Sequence, residues 1–371
     1  MAGLYVHIPF CKQACIYCDF HFSTSLKYRN RMVSALVQEI ELQKDFSYQG
    51  PLESIYFGGG TPTVLEVEQL DEIIRAVSKN FEWVGQPEIT LEANPDDLSP
   101  EKIARLARSK VNRLSIGIQS FRDEDLRMMN RSHNREQALK SVAMAMELGF
   151  ENITADLIYG IPGMDNPSWE QQIDQLLELG VPHLSSYALT VEPKTVLHHK
   201  IQKREIAAPS EEQAAVQFEI LWKKLENAGY EHYEVSNFAK PGYRAVHNSS
   251  YWKGTPYLGI GPSAHSYYNN QRFWNVSNNM AYMKSVEGGK VNRESEQLSD
   301  KDRFNEMVMT GLRTKVGLSL SELNEAEKDF LLKEAEPALQ KGQLVQSGEH
   351  LFIPQHWRFH SDGIAASLFY I

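Results

Sequence analysis

The sequence predicts an α/β protein: a parallel sheet with helices packed outside it, followed by a small C-terminal α+β domain. Three observations predict it. Strand-like runs alternate with helical periodicity six times before residue 230. Glycine-rich and polar stretches fall where those strands end, the edge at which barrels and open α/β sheets carry their sites. From about residue 298 the order becomes helix, helix, helix, hairpin, which is winged-helix-like. Six units are two short of the eight that close a barrel.

Residues 4–8 form a short strand that stops at Pro9. Residues 27–44 place Met32, Leu36, Val37 and Ile40 on one helical face. A strand over 54–57 runs into Gly58-Gly59-Gly60-Thr61-Pro62-Thr63, and a helix follows over 66–79. The third strand, 88–92, is broken by Asn94-Pro95, and Ser99 caps a helix with Pro100 at its first position. A strand over 113–120 leads into helices that end at Gly149, and 153–159 is a strand stopped by Gly160-Ile161-Pro162-Gly163. A helix over 167–179, a strand over 183–189 and a helix over 210–227 complete the six units. Residues 230–268 are dense in aromatics, Gly, Pro, His and Asn with weak periodicity, and read as irregular structure at the open side of the sheet. Phe304, Met307, Val308 and Leu312 then open the last domain at helical spacing. Helices over 319–328 and 331–340, a hairpin over 344–353 and a helix from 357 follow. The domains are therefore 1–230, an aromatic-rich connection 231–297, and 298–371.

The 371 residues carry a formal net charge of −10 and are 42% hydrophobic. Such a chain buries a sizeable core and has no overall field that favours nucleic acid. No run of 18 or more apolar residues appears, so no spanning helix is expected. The absence of a signal sequence and the free cysteines point to the cytoplasm.

All three cysteines fall in one loop, Cys11, Cys15 and Cys18, spaced C-x3-C-x2-C. The count is odd, which argues against a disulfide framework. A Cys3His zinc site is the competing reading, because His7 and His21 flank the motif. A four-iron cluster, usually held by four thiolates, would keep one iron open on three cysteines. An amine and a carboxylate chelating that iron would fit S-adenosylmethionine, whose reductive C–S cleavage gives a 5′-deoxyadenosyl radical. The spacing resembles the signature of the radical SAM superfamily.

Gly58-Gly59-Gly60-Thr61-Pro62 sits between a strand and a helix, where glycine lets backbone approach a ligand closely. It is neither a P-loop nor a G-x-G-x-x-G fingerprint. Glu92, Gln119, Arg131 and Asp156 lie at strand ends or in the loops beyond. Each alone reads as a solvated loop residue or cap, but Asp156 inside an apolar strand needs a partner or a ligand.

Taken together, Tyr5-Val6-His7-Ile8-Pro9-Phe10-Cys11, the Gly58–Thr63 run, Arg113-Leu114-Ser115-Ile116-Gly117-Ile118-Gln119-Ser120-Phe121 and Asp156-Leu157-Ile158-Tyr159-Gly160-Ile161-Pro162 resemble the oxygen-independent coproporphyrinogen III oxidase family over nearly the whole chain. The resemblance implies a partial (β/α)6 radical SAM barrel. It also implies a 4Fe-4S cluster on Cys11, Cys15 and Cys18, with S-adenosylmethionine at the open iron. Tyr5, Tyr17, Gly59, Gly60, Thr61, Glu92, Gln119, Arg131 and Asp156 fall where that family contacts this cofactor.

Two departures stand out. Phe20 occupies the position of the oxidase's fourth cysteine, and only ten residues precede Cys11. Both resemble the HemW branch, regarded as heme chaperones, as does His247-Asn248-Ser249-Ser250-Tyr251-Trp252, which matches that branch's HNxxYW motif. The resemblance implies heme as ligand, with His247 as an axial ligand and Tyr251 and Trp252 stacking on the macrocycle. The competing reading makes His247 an ordinary buried histidine, and His232 or His265 would then ligate instead. Implied partners are heme and heme-accepting proteins, with acceptors at the membrane surface and a homodimer compatible with it, and no nucleic acid. Radical decarboxylation of coproporphyrinogen III is the alternative function, and radical methyl transfer to heme a third. No coproporphyrinogen turnover is expected, while S-adenosylmethionine cleavage stays open.

Overall fold

The computed structural model describes residues 2–371. Its main sheet has twelve strands. Six parallel strands form the centre: β1 (Ala2–Ile8), β2 (Leu52–Gly59), β3 (Trp83–Ala93), β4 (Arg113–Gln119), β5 (Ile153–Tyr159) and β6 (His183–Ala188). Helices Arg29–Leu42, Val67–Asn80, Pro100–Leu106, Arg135–Glu147, Asn166–Leu179 and Glu211–Asn227 connect and cover them. Ser99, Asp165 and Ser210 cap three of these helices by accepting a backbone N–H three residues on.

The region expected to be irregular is ordered. β7 (Glu231–Glu234) and β8 (Asn237–Ala239) extend the sheet antiparallel beyond β6. β9 (Tyr257–Ile260) pairs parallel with β1, Gly3 opposite Tyr257, and carries β10 (His265–Tyr268), β11 (Gln271–Asn275) and β12 (Arg293–Gln297) outward. Between them the HNSSYW stretch is a helix, Val246–Trp252, not a loop. Strands of three to five residues hold too little periodicity to be read locally, and their partners lie far away in the chain.

The two faces of the central sheet differ. Leu4, Val6, Ile8, Ile55, Phe57, Ile89, Leu91, Leu114 and Ile116 point under the helices and are fully buried. Parallel partners share a face, so the opposite side carries Tyr5, His7, Ser54, Tyr56, Glu88, Thr90, Glu92, Arg113, Ser115, Thr154, Asp156, His183 and Tyr187. The inner face of the partial barrel is thus a polar lumen.

The C-terminal domain has its own core, including Phe304, Val308, Leu312, Leu331, Leu351 and Leu368. Its second helix is continuous over Glu325–Gln340, so the two helices expected over 319–340 are one, preceded by β13 (Leu318–Ser319) and a short turn. β14 (Val345–Ser347) and β15 (His350–Phe352) form the expected hairpin, and a 3-10 segment, Gln355–His360, leads into the last helix, Ser361–Ala366. The domain is tied to β7. Arg313 Nε donates to the buried Glu234 carboxylate at 3.1 Å, and Arg358 Nη1 donates to the His232 carbonyl at 2.7 Å. Among the described residues no helix is long and apolar enough to cross a membrane.

Candidate functional site

The cysteine loop leaves the carboxyl end of β1 and is pinned on several sides. Cys11 N–H donates to the Ser23 carbonyl at 3.1 Å, and Ile16 N–H to the Met129 carbonyl at 3.1 Å. Asn130 Nδ2 donates to the Ala14 carbonyl at 2.7 Å, and Lys12 pairs with Asp96 at 3.0 Å. The three thiols are partly exposed on this braced loop. Burial pushes the Cys11 and Cys18 thiols up to about 11, so a metal's charge is needed to hold them as thiolates.

The glycine run explains the loop's closeness to the sheet. Gly60 N–H donates to the Ile8 carbonyl at 2.9 Å, and a Cβ there would stand 2.5 Å from the Phe10 carbonyl oxygen. A Cβ on Gly59, whose φ is +104°, would meet the His7 ring at 2.5 Å. These glycines admit the chain's own backbone and imidazole. His7 Nε2 donates to the His21 carbonyl at 2.9 Å, so its Nδ1 accepts from the Tyr5 hydroxyl at 3.2 Å. His21 Nε2 bonds the Asn279 side chain at 2.8 Å. Both His7 ring nitrogens and His21 Nε2 are therefore engaged by groups other than the thiols.

Arg131 joins the loop to the lumen. Its Nη1 reaches Cys15 Sγ at 3.3 Å and the Tyr17 hydroxyl at 3.5 Å, while Nη2 donates to Asn94 Oδ1 at 2.6 Å and the Gly117 carbonyl at 2.8 Å. Its Nε is buried with no partner among the described residues. Deeper in, the Tyr56 hydroxyl donates to Glu92 at 2.8 Å, and Ser115 stands 3.4 Å from both Asp156 oxygens. Burial raises Glu92 to about 7. Burial and then the charge of Glu92 raise Asp156 to about 8. Two carboxyls facing one lumen favour a cationic occupant. Gln119 takes a left-handed φ of 68° at the end of β4, and its side chain accepts from Tyr187 at 2.9 Å. A non-glycine residue held in that region is strained, which marks functional sites. Tyr5, Tyr17, Gly59, Gly60, Thr61, Glu92, Gln119, Arg131 and Asp156 thus gather around the carboxyl ends of β1–β5.

The residue chemistry fits an iron–sulfur cluster with a chelating, cationic ligand. A four-iron cluster spreads its thiolates over separate irons, so it needs no single point where three thiols meet. Among the described residues no three His, Cys, Asp or Glu side chains form a one-ion site.

The HNSSYW helix lies elsewhere, across the amino ends of the strands. Glu88 accepts the backbone N–H groups of Val246 and His247, both at 3.0 Å. His247 is 1% exposed and stacks on Tyr56 at 5.0 Å, with its ring nitrogens 2.8 Å from the Ser54 hydroxyl and 2.9 Å from the Tyr251 hydroxyl. Burial and the nearby Arg113 charge lower it to about 3, so it is neutral. The Tyr251 ring is set edge-on against Tyr257, and Arg313 lies 4.8 Å over the Trp252 ring. His232 is likewise buried and hydrogen-bonded on both nitrogens, and His265 is exposed and stacked on Trp274.

Sequence reasoning passed over Ser54, Tyr56, Thr90, Arg113, Ser115, His183 and Tyr187. Their signal is a polar residue at every second strand position, as in Glu88-x-Thr90-x-Glu92 and Arg113-x-Ser115, which marks a lumen face.

Comparison with known proteins follows this geometry. The Radical SAM superfamily model matches residues 5–176, and the HemN C-terminal domain model matches 298–358. The chain is 38% identical over 322 residues to "Heme chaperone HemW" of Bacillus subtilis, covering 86% of this chain and 85% of that protein. It is 33% identical to the protein of that name from Mycobacterium tuberculosis, covering 99% and 94%. The solved coproporphyrinogen III oxidase (HemN) from Escherichia coli shares the fold, with a TM-score of 0.84 at 24% identity, over 99% of this chain and 90% of that one.

Proposed function

The chain belongs to the HemW family of radical SAM proteins, and from that premise we propose that it is a heme chaperone, binding heme and passing it to acceptor hemoproteins in the cytoplasm. Cys11, Cys15 and Cys18 would hold a 4Fe-4S cluster, and the polar residues at the lumen mouth would hold S-adenosylmethionine. When bound, the pair supplies reductive cleavage of the sulfonium C–S bond. The chain's own residues position and shield. Arg131, with its orphaned Nε, would take the cofactor's carboxylate, and Glu92 and Asp156 would take its amine and ribose. Tyr5 and Tyr17 wall the site, and the backbone of Gly59, Gly60 and Thr61 fixes the loop against it.

Phe20 carries the choice of chaperone over oxidase. It stands where the oxidase would have a fourth cysteine and is 69% exposed, an apolar side chain offered to solvent beside the cluster loop. The test is anaerobic reconstitution followed by two assays on one sample. Heme uptake with transfer to an apo-hemoprotein supports the reading. Carbon dioxide release from coproporphyrinogen III would restore the oxidase. Metal analysis should give iron and sulfide, lost on Cys→Ala at any of the three positions, and stoichiometric zinc would refute the cluster.

Heme-iron ligation by His247, with Tyr251 and Trp252 against the macrocycle, is the motif-based form of the proposal. It requires the Val246–Trp252 helix to turn outward, because both ring nitrogens are engaged in this fold. The acceptor site and any dimer or membrane-surface association follow from the chaperone reading alone.

A further inference from the structure

We propose that Tyr56 is a positioning residue: it aims Glu92 at the cofactor and carries cofactor occupancy to the HNSSYW helix. S-adenosylmethionine then holds this helix in place, and heme ligation by His247, which needs the helix turned outward, opposes the cofactor. The proposal rests on the assignment of Glu92 to the cofactor and of His247 to heme.

One side chain makes both contacts. The Tyr56 hydroxyl donates to Glu92 Oε1 at 2.8 Å, and the Tyr56 ring stacks on the His247 ring at 5.0 Å with the planes 26° apart. Its neighbours along β2 fit the same role. Ser54, two residues before it, bonds His247 at 2.8 Å. Gly58, two residues after it, leaves room for the pair: a Cβ there would stand 2.9 Å from the Tyr56 ring and 3.0 Å from both Glu92 Oε1 and the Tyr5 ring. The cluster loop has no use for that first glycine of the run, whereas the Tyr56–Glu92 pair does.

The helix has two arrangements. In this fold Glu88, Ser54 and Tyr56 hold it across the amino ends of the strands. Once His247 leaves, the Tyr56 ring loses its support, and its hydroxyl is no longer fixed on Glu92. Burial places Glu92 at about 7, so near neutral pH the empty site is partly protonated. A cationic cofactor keeps the carboxylate ionised, and the hydroxyl's bond to it is then charge-assisted, roughly twice as strong as one between neutral groups. Tyr56 stays the donor, because burial and then the charge of Glu92 raise its pKa well above the usual tyrosine value. The cofactor therefore gains more with the helix in place than with it released, and that difference is what lets it shift the helix. Linkage makes the effect reciprocal.

The experiment follows backbone hydrogen exchange over residues 246–252 in the anaerobically reconstituted full chain, with and without saturating S-adenosylmethionine. It is repeated on Tyr56→Phe, which keeps the ring and loses the hydroxyl. In the parent the cofactor should slow exchange by about fivefold or more. Tyr56→Phe should bind the cofactor more weakly and show no slowing at saturation. A merely structural tyrosine would alter exchange equally with and without the cofactor. Calorimetry should show ferric heme lowering the parent's affinity for S-adenosylmethionine and leaving that of the variant unchanged. Parent exchange that ignores the cofactor, or a variant that responds as the parent does, overturns the coupling and leaves the cofactor site standing. Heme that binds without moving the cofactor's affinity overturns the antagonism. A parent that binds no S-adenosylmethionine overturns the site assignment as well.

Discussion

The Ser54 hydroxyl and His247 Nδ1 lie 2.8 Å apart, joining β2 to a helix 193 residues later in the chain. Ser54, Tyr56 and Glu88 on one side, and His247 and Tyr251 on the other, make this contact a floor for the barrel lumen. The motif that draws attention as a ligand site is, as folded, a plug that the sheet recognises through both its backbone and its imidazole.

His247→Ala should therefore cost stability. It deletes a buried ring and leaves two hydroxyls without partners, a loss of about 2–4 kcal/mol. The midpoint of denaturant unfolding measures it. His247→Gln, which keeps one hydrogen bond, should recover part of the loss. A midpoint unmoved in both variants would show that the helix is not anchored there.

Glu39 predicts a pH dependence. Its buried carboxyl receives the Tyr282 hydroxyl at 2.5 Å, Asn275 Nδ2 at 2.7 Å and the Gly261 N–H at 2.8 Å, clamping the β9–β11 extension onto the Arg29–Leu42 helix. Burial outweighs these bonds and raises its pKa from 4.5 to about 7. The folded state then holds a proton that the unfolded state releases. This contribution is full below pH about 4.5 and is lost as pH rises to about 7, amounting to about 3 kcal/mol. Glu39→Gln stays neutral, so its stability relative to the parent should rise across that window and then level off. Parallel pH profiles of thermal unfolding for the two proteins would refute this.

Asp156 predicts where the cofactor is held. Asp156→Ala should weaken S-adenosylmethionine binding by about tenfold or more, because it removes a lumen carboxylate that a cationic, ribose-bearing ligand needs. Glu66→Ala, at the solvent end of the helix after the glycine run, should leave affinity unchanged. Affinity in the parent should climb as pH passes upward through about 7 to 8, as Glu92 and Asp156 ionise, and the Asp156→Ala climb should be smaller. Calorimetry on anaerobically reconstituted protein reads all three; equal affinities for the two variants would remove Asp156 from the site.

What the sequence determined by itself is what local spacing can carry. The six strand–helix units, the cap at Ser99, and the single loop that bears Cys11, Cys15 and Cys18 are short-range patterns, and the chain folds along them. Asp156 was legible because a carboxylate in an apolar strand needs a partner or a ligand, whereas Glu92 by itself reads as a solvated loop residue or cap. Only the tertiary structure decided which residues share a lumen. Tyr56 meets Glu92 across 36 residues and Ser115 meets Asp156 across 41, through strand register that no local window contains. It also decided that residues 231–297 build both edges of the sheet, since Tyr257 finds Gly3 from the far end of the chain. For His247 the sequence supplied the residue and the motif around it. Its role depends on what lies against each ring nitrogen, and those neighbours are brought by β2 and by the next turn of its own helix, a matter of packing that spacing does not encode.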